Sequence, residues 1–148
     1  MTPEDRDAYL DFFRAAGGLK DTLRSGQTPR GRPESTAEHC WRLCLMAVAL
    51  EEVLEVDLGR LIRLLVVHDL GEALRGDVPA PLQTGDKSAE ERADMAALLG
   101  TLPAGVAARL MALWDEYNAV ATPEARLAKG LDRLETVLTH TEGAPPQP

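Results

Sequence analysis

Cysteine, positive charge and long apolar runs are all scarce in this chain, and each scarcity removes a class of protein. The two cysteines, Cys40 and Cys44, stand four residues apart on a stretch with helical patterning. They cannot form a disulfide framework, and the thiols are either small core residues or the mark of a reducing compartment. Lysine and arginine number 16 against 24 aspartates and glutamates, a formal net charge of −8. That balance argues against nucleic acid or an anionic membrane surface as the main partner, while leaving room for a small anion in a local basic pocket. The longest uninterrupted apolar run, Leu43 to Leu50, is far short of the roughly 20 residues a membrane span needs, and no secretory leader pattern opens the chain. A soluble, cytoplasmic protein is expected. Strand-like alternation and internal repeats are also missing.

What the chain does have is helical periodicity and enough apolar content, 45%, for one core. A chain of 148 residues buries about 68–70% of its unfolded surface. Thr2-Pro3-Glu4-Asp5 starts a first helix whose apolar positions, Tyr9, Leu10, Phe12, Phe13 and Ala16, stop at Gly17-Gly18. Leu19 to Pro33 reads as a loop carrying Arg24, Arg30 and Arg32. Ser35-Thr36-Ala37-Glu38 is a capping box that opens a second helix with a core stripe of Leu43, Met46, Leu50, Val53 and Leu54. Asp57 caps a third, aliphatic nearly all round through Leu61, Leu64, Leu65 and Val67 and ending near Arg75, so it belongs at the centre. Ser88-Ala89-Glu90-Glu91 predicts a helix to Gly100, and Thr101 and Pro103 begin another with Val106, Leu110, Leu113, Trp114 and Tyr117 at core spacing. Thr122-Pro123-Glu124 starts the last, with Leu127, Leu131, Leu134 and Leu138 in register. The expected fold is an all-α bundle of about six helices, one domain over residues 1–142 with a frayed tail at 143–148.

Chemistry concentrates in residues 66 to 81, where His68, Asp69, Glu72 and Asp77 fall within ten positions of an otherwise aliphatic stretch. Burying His68 and Asp69 in a central helix is costly unless they are paired or hold a metal. Gly71 in the same turn lets another backbone come close. His39, in the first turn of the second helix, points inward because it precedes Leu43 by four and Met46 by seven. Asp132 flanks the stripe of the last helix. His39, His68, Asp69 and Asp132 thus offer two imidazoles and two carboxylates, a borderline-hard set suited to one divalent ion, Mn²⁺, Co²⁺, Fe²⁺, Zn²⁺ or Mg²⁺, with positions left open for water and substrate. Glu72 is the candidate for moving protons, and the loop of Arg24, Arg30 and Arg32 is the candidate for a phosphate. His140, in the last turn, reads as a favourable charge at a helix C-terminus.

The order Glu38-His39, His68-Asp69, Asp132 resembles the H…HD…D signature of the HD-domain metal-dependent phosphohydrolases. Pro33-Glu34-Ser35-Thr36-Ala37-Glu38-His39-Cys40-Trp41-Arg42, His68-Asp69-Leu70-Gly71-Glu72, Gly76-Asp77-Val78-Pro79, Lys87, Leu113-Trp114-Asp115-Glu116-Tyr117 and Leu131-Asp132-Arg133-Leu134-Glu135 are together similar to that family's 5'-nucleotidase branch. The resemblance spans roughly residues 18 to 140. It implies hydrolysis of nucleoside 5'-monophosphates, with deoxynucleotides favoured, His39, His68, Asp69 and Asp132 as metal ligands, and Asp77 on a sugar hydroxyl. It also implies a homodimer, for which Trp114 and Tyr117 supply apolar surface. In the relatives a tryptophan that packs on the nucleotide closely follows the loop arginine; here Arg24 leads to Gln27, which leaves base, sugar and the identity of the phosphomonoester open. Two-metal members need further histidines, and this chain has only three. A catalytically idle HD module that binds a nucleotide or a partner is the alternative.

Overall fold

The computed structural model describes residues 1–76 and 87–144. Its helices are α1 (Pro3–Ala16), α2 (Thr36–Ala49), α3 (Leu58–Val67), the single-turn α4 (Glu72–Arg75), α5 (Lys87–Leu99), α6 (Ala104–Ala119) and α7 (Pro123–Glu142). The fold is all-α, as expected. Most of its helix starts are set by side chains visible in the sequence. Thr2 and Ser35 form reciprocal capping boxes with Asp5 and Glu38, and Asp57 and Thr122 cap α3 and α7 through their side-chain oxygens. Each cap satisfies amide donors that the first helical turn leaves unpaired. Ser88 is not a cap, because α5 already begins at Lys87.

Two further differences bear on function. The arginine-bearing segment expected to be a loop contains a two-stranded antiparallel hairpin, β1 (Leu23–Gln27) and β2 (Pro33–Ser35), with an irregular register between Leu23 and Gln27. Gly26 faces Thr139 and His140 of α7 so closely that a Cβ there would meet Thr139 Cγ2 at 2.4 Å. The hairpin is thereby seated on α7, and that close packing explains strands where no alternating pattern exists. The third helix also does not run unbroken to Arg75. Beyond Val67 the backbone bonds shorten to three residues, Leu70 to Val67, Glu72 to Asp69, Ala73 to Leu70 and Leu74 to Gly71. This tightening brings positions three apart onto one line, so Glu72 aligns with Asp69 rather than with His68. Gly71 does allow a close approach, since a Cβ there would lie 3.3 Å from Met95 N of α5.

α3 is central, in contact with α2, α6 and α7. Its Leu61, Leu64 and Leu65 are fully buried with Leu43, Ala47, Ala125, Ala128 and Leu131, and truncating any one of these leucines to alanine costs about 2–5 kcal/mol. Val67 and Leu70 enter a second cluster with Phe12, Leu19, Met95, Leu98, Leu99 and Trp114. His68 and Asp69 therefore lie where the two clusters meet. Leu10, Phe13, Val53 and Leu134, expected in apolar stripes, are exposed instead, because periodicity marks a face without saying whether another element covers it.

The α2 capping box yields a pH prediction. Arg32 first, then the Ser35 backbone, draws the Glu38 carboxyl down to about 2 from its usual 4.5. A depressed carboxylate contributes stability that is present above 4.5 and is lost as the pH falls toward about 2. Glu38→Gln is expected to lower stability by roughly 0.5–1 kcal/mol near neutral pH. In thermal melts its difference from the native protein should shrink steadily on acidification through that window.

Candidate metal centre

The centre is built from α2, the turn after α3, and α7. His39 is fully buried and His68 nearly so. Their rings lie 5.6 Å apart between centroids. Each ring has its Nδ1–H committed: His68 donates to the Leu65 carbonyl at 2.8 Å, and His39 donates to the Glu135 carboxylate. That fixes both tautomers and turns both Nε2 lone pairs inward. Neither Nε2 makes a hydrogen bond. Asp132 Oδ1 lies 3.1 Å from His39 Nε2 and Asp69 Oδ2 lies 2.9 Å from His68 Nε2, ion-pair distances whose directions do not suit N–H donation. One ligand atom from each of His39, His68 and Asp69 falls within 4.8 Å of the others; Asp132 approaches His39 and is not in that closely spaced group. Lone pairs and carboxylate oxygens crowded together in a buried place repel unless a cation lies among them, and two nitrogens with two carboxylates suit a divalent ion.

The protonation tendencies carry the same message. Burial lowers His39 but the Asp132 and Glu135 carboxylates outweigh it, so its pKa is raised; burial likewise opposes charge on His68, and Asp69 overcomes it. Burial would raise Asp69 and Asp132, yet His68 holds Asp69 below the usual carboxylate range and His39 does the same for Asp132. The cluster draws positive charge toward its centre.

Around these four groups each side chain has a second partner. Arg24, brought in by β1, donates to Asp69 Oδ2 at 3.3 Å and to Thr136 Oγ1 at 3.4 Å, with its Nε 3.9 Å from Glu34. Of the loop arginines only Arg24 reaches the centre among the interactions described, since Arg32 pairs with Glu38 at the surface. Tyr117 donates its hydroxyl to Asp132 Oδ2 at 2.7 Å. Thr36, fully buried one turn before His39, donates to Glu72 Oε2 at 3.1 Å. Glu72 is thus held beside the same face of α2, though it is not among the closely spaced ligand atoms. Asp77 and the side chain of Lys87 lie outside the described residues. His140 stays apart, bonded to the Thr136 carbonyl and to Ser25.

Glu135, Thr36, Thr139 and Tyr117 contribute to the centre, a part the sequence reading did not give them. Glu135 is fully buried, accepts from Thr139 Oγ1 at 2.8 Å and has Arg42 Nε at 3.8 Å. Its placement three after Asp132 put it on the ligand face of α7, a signal that was available. Glu34, His39 and Glu135 also have closely spaced ligand atoms. The His39 Nδ1 proton and the Thr139 hydroxyl already engage Glu135, so that group is a hydrogen-bonded brace behind His39.

An all-helical domain whose histidine, histidine-aspartate pair and distant aspartate converge in this way defines an HD-type metal-binding protein. The HD domain family matches residues 16–146, and the chain belongs to that family. It is 35% identical over 136 residues to the 5'-deoxynucleotidase HDDC2 of Danio rerio, covering 89% of this chain and 68% of that one. It is 34% identical over 139 residues to the 5'-deoxynucleotidase HDDC2 of Homo sapiens, covering 91% and 68%. A predicted metal-dependent phosphohydrolase from Magnetospirillum magnetotacticum, known from its crystal structure, superposes with a TM-score of 0.84 at 37% identity, covering 94% of this chain and 74% of that one.

The brace behind His39 predicts a graded loss of metal. Glu135→Gln keeps the shape but removes the charge that makes His39 a better donor, and Glu135→Ala removes the acceptor as well. Removing such an outer partner weakens metal binding about 10–100-fold. Calorimetric titration with Zn²⁺ or Mn²⁺ should rank native protein above Glu135→Gln and Glu135→Ala last.

Proposed function

We propose that this HD-domain protein is a metal-dependent phosphomonoesterase that hydrolyses nucleoside 5'-monophosphates, deoxynucleotides foremost, to nucleoside and phosphate. The observation that carries the reading is the pairing of two inward-facing Nε2 lone pairs with Asp69 and Asp132, and a guanidinium, Arg24, at their edge. The names of the relatives at 34–35% identity support the substrate class.

His39, His68, Asp69 and Asp132 hold the ion, one of Mn²⁺, Co²⁺, Fe²⁺, Zn²⁺ or Mg²⁺. When bound it supplies Lewis acidity for the phosphoryl oxygens and lowers the pKa of water from 15.7 to about 7. The residues of the chain do the rest. Arg24 exchanges its contact with Asp69 for the phosphate, where the planar guanidinium matches two oxygens at once. Glu72, oriented by Thr36, takes the proton from the attacking water or returns one to the leaving 5'-oxygen. The aliphatic walls around His68 exclude bulk water, which strengthens each of these interactions. Lys87 assists at the phosphate and Asp77 binds a sugar hydroxyl in the same reading, both placed by sequence resemblance. Phosphate release from a panel of nucleoside and deoxynucleoside 5'-monophosphates with Mn²⁺, Co²⁺ or Mg²⁺ tests it. Asp69→Ala is expected to abolish turnover and Glu72→Ala to reduce kcat by about 10²–10⁴-fold. No release from any monophosphate with any of these metals would refute the nucleotidase reading, and metal and nucleotide binding without turnover would leave the idle module in its place.

The homodimer is also kept as a proposal, on a different surface from the one the sequence pointed to. Trp114 and Tyr117 are buried within the fold and offer nothing to a partner. α2 instead exposes Trp41, Leu45 and Val48, at 65%, 49% and 50%, spaced four and three apart so that they share one face. A row of exposed apolar side chains on one helix face is a candidate association surface. Light scattering is expected to give twice the chain mass of 16.0 kDa, and Trp41→Glu with Leu45→Glu to give the single-chain mass with the helical signal retained. A native protein that scatters as one chain would refute the dimer.

A further inference from the structure

The two oxygens of Asp132 are not equivalent. Oδ1 lies 3.1 Å from His39 Nε2 and faces the inward lone pairs. Oδ2 accepts the Tyr117 hydroxyl at 2.7 Å. Tyr117 is itself held from several sides: its ring is 3% exposed in the cluster with Leu43, Leu61, Leu65 and Leu131, it packs against the His68 ring at 4.9 Å between centroids, and the Lys129 ammonium lies 3.8 Å from its ring centroid. A phenol so confined has little freedom to turn its hydroxyl elsewhere, and it touches two of the four residues expected to hold the ion.

We infer that Tyr117 is a positioning residue that occupies Asp132 Oδ2, so that Asp132 offers the metal one oxygen and a coordination place stays free for water or phosphate. The inference rests on the metal-centre reading above and adds to it the question of how many places the protein itself fills. An aspartate free at both oxygens can bind an ion through both, as carboxylates do around larger cations. One whose second oxygen is engaged by a short hydrogen bond is held to one-oxygen binding. Four single-atom ligands then leave a six-coordinate ion two places, or a five-coordinate ion one, and hydrolysis needs such an open place.

Tyr117→Phe tests this because it keeps the ring against His68 and deletes only the hydroxyl. Cobalt(II) chloride is the probe, since the position and intensity of its visible absorption report coordination number and geometry. The expected result is a changed Co²⁺ spectrum, Co²⁺ affinity lower by about tenfold, and kcat lower by a similar factor with KM within about twofold. A Co²⁺ spectrum and affinity indistinguishable from native would overturn the role of Tyr117 while leaving the metal centre intact. Absence of stoichiometric Co²⁺ binding by the native protein would overturn both. Should Tyr117→Phe fail to fold, protein labelled with 3-fluorotyrosine keeps the hydroxyl and gives two ¹⁹F resonances, one for each tyrosine, assigned with Tyr9→Phe. The Tyr117 resonance is expected to move in step with one equivalent of Co²⁺, and a resonance unmoved at saturation would overturn the proposal.

Discussion

Everything near the centre of this protein is arranged to keep two imidazole rings buried with their Nε2 atoms facing carboxylates. Left alone, such a cluster is unfavourable: each buried Nε2 lies 2.9–3.1 Å from a carboxylate oxygen without a hydrogen bond of its own. The fold keeps it together with a further partner for each group. The Leu65 carbonyl holds His68, Glu135 holds His39, Arg24 holds Asp69 and Tyr117 holds Asp132. A divalent cation would resolve the remaining conflict, and its affinity would be tied to the integrity of the bundle.

The scaffold serves this arrangement through its breaks as much as its helices. α3 carries the core leucines, then tightens after Val67 just where two hydrophobic clusters meet. His68 and Asp69 leave a rigid helix at that point, and the tighter turn swings Glu72 into line with Asp69 and within reach of Thr36 on α2. The hairpin β1–β2 has the complementary task. Seated on α7 through Gly26, it delivers Arg24 to Asp69 and Glu34 to the brace behind His39. A guanidinium is thus brought to the edge of the cluster in an otherwise acidic protein.

How far the chain could be read in advance followed from the range of the forces involved. Helix starts depend on a side chain and an amide three residues away, so Thr2, Ser35, Asp57 and Thr122 were legible as caps. The candidates His39, His68, Asp69 and Asp132 were legible because a buried histidine or aspartate needs a reason, and the order in which they occur resembles a known family. The hairpin was not legible, since its strands are held by contact with α7 across more than a hundred residues and carry no alternating pattern. Nor were the exposed positions of Leu10, Phe13, Val53 and Leu134, because helical periodicity names a face but not its neighbour.

The sequence by itself determined the helical class, most of the helix starts, the family resemblance and the identity of the groups able to hold a metal, all of which rest on local spacing and on the kinds of side chain present. Only the tertiary structure decided which further partner each of these groups has, that Arg24 rather than Arg30 or Arg32 reaches the centre, and that Trp114 and Tyr117 face inward. These are contacts between helices distant in the chain. Distances of a few tenths of an ångström decide them, and no pattern along the sequence carries information that fine.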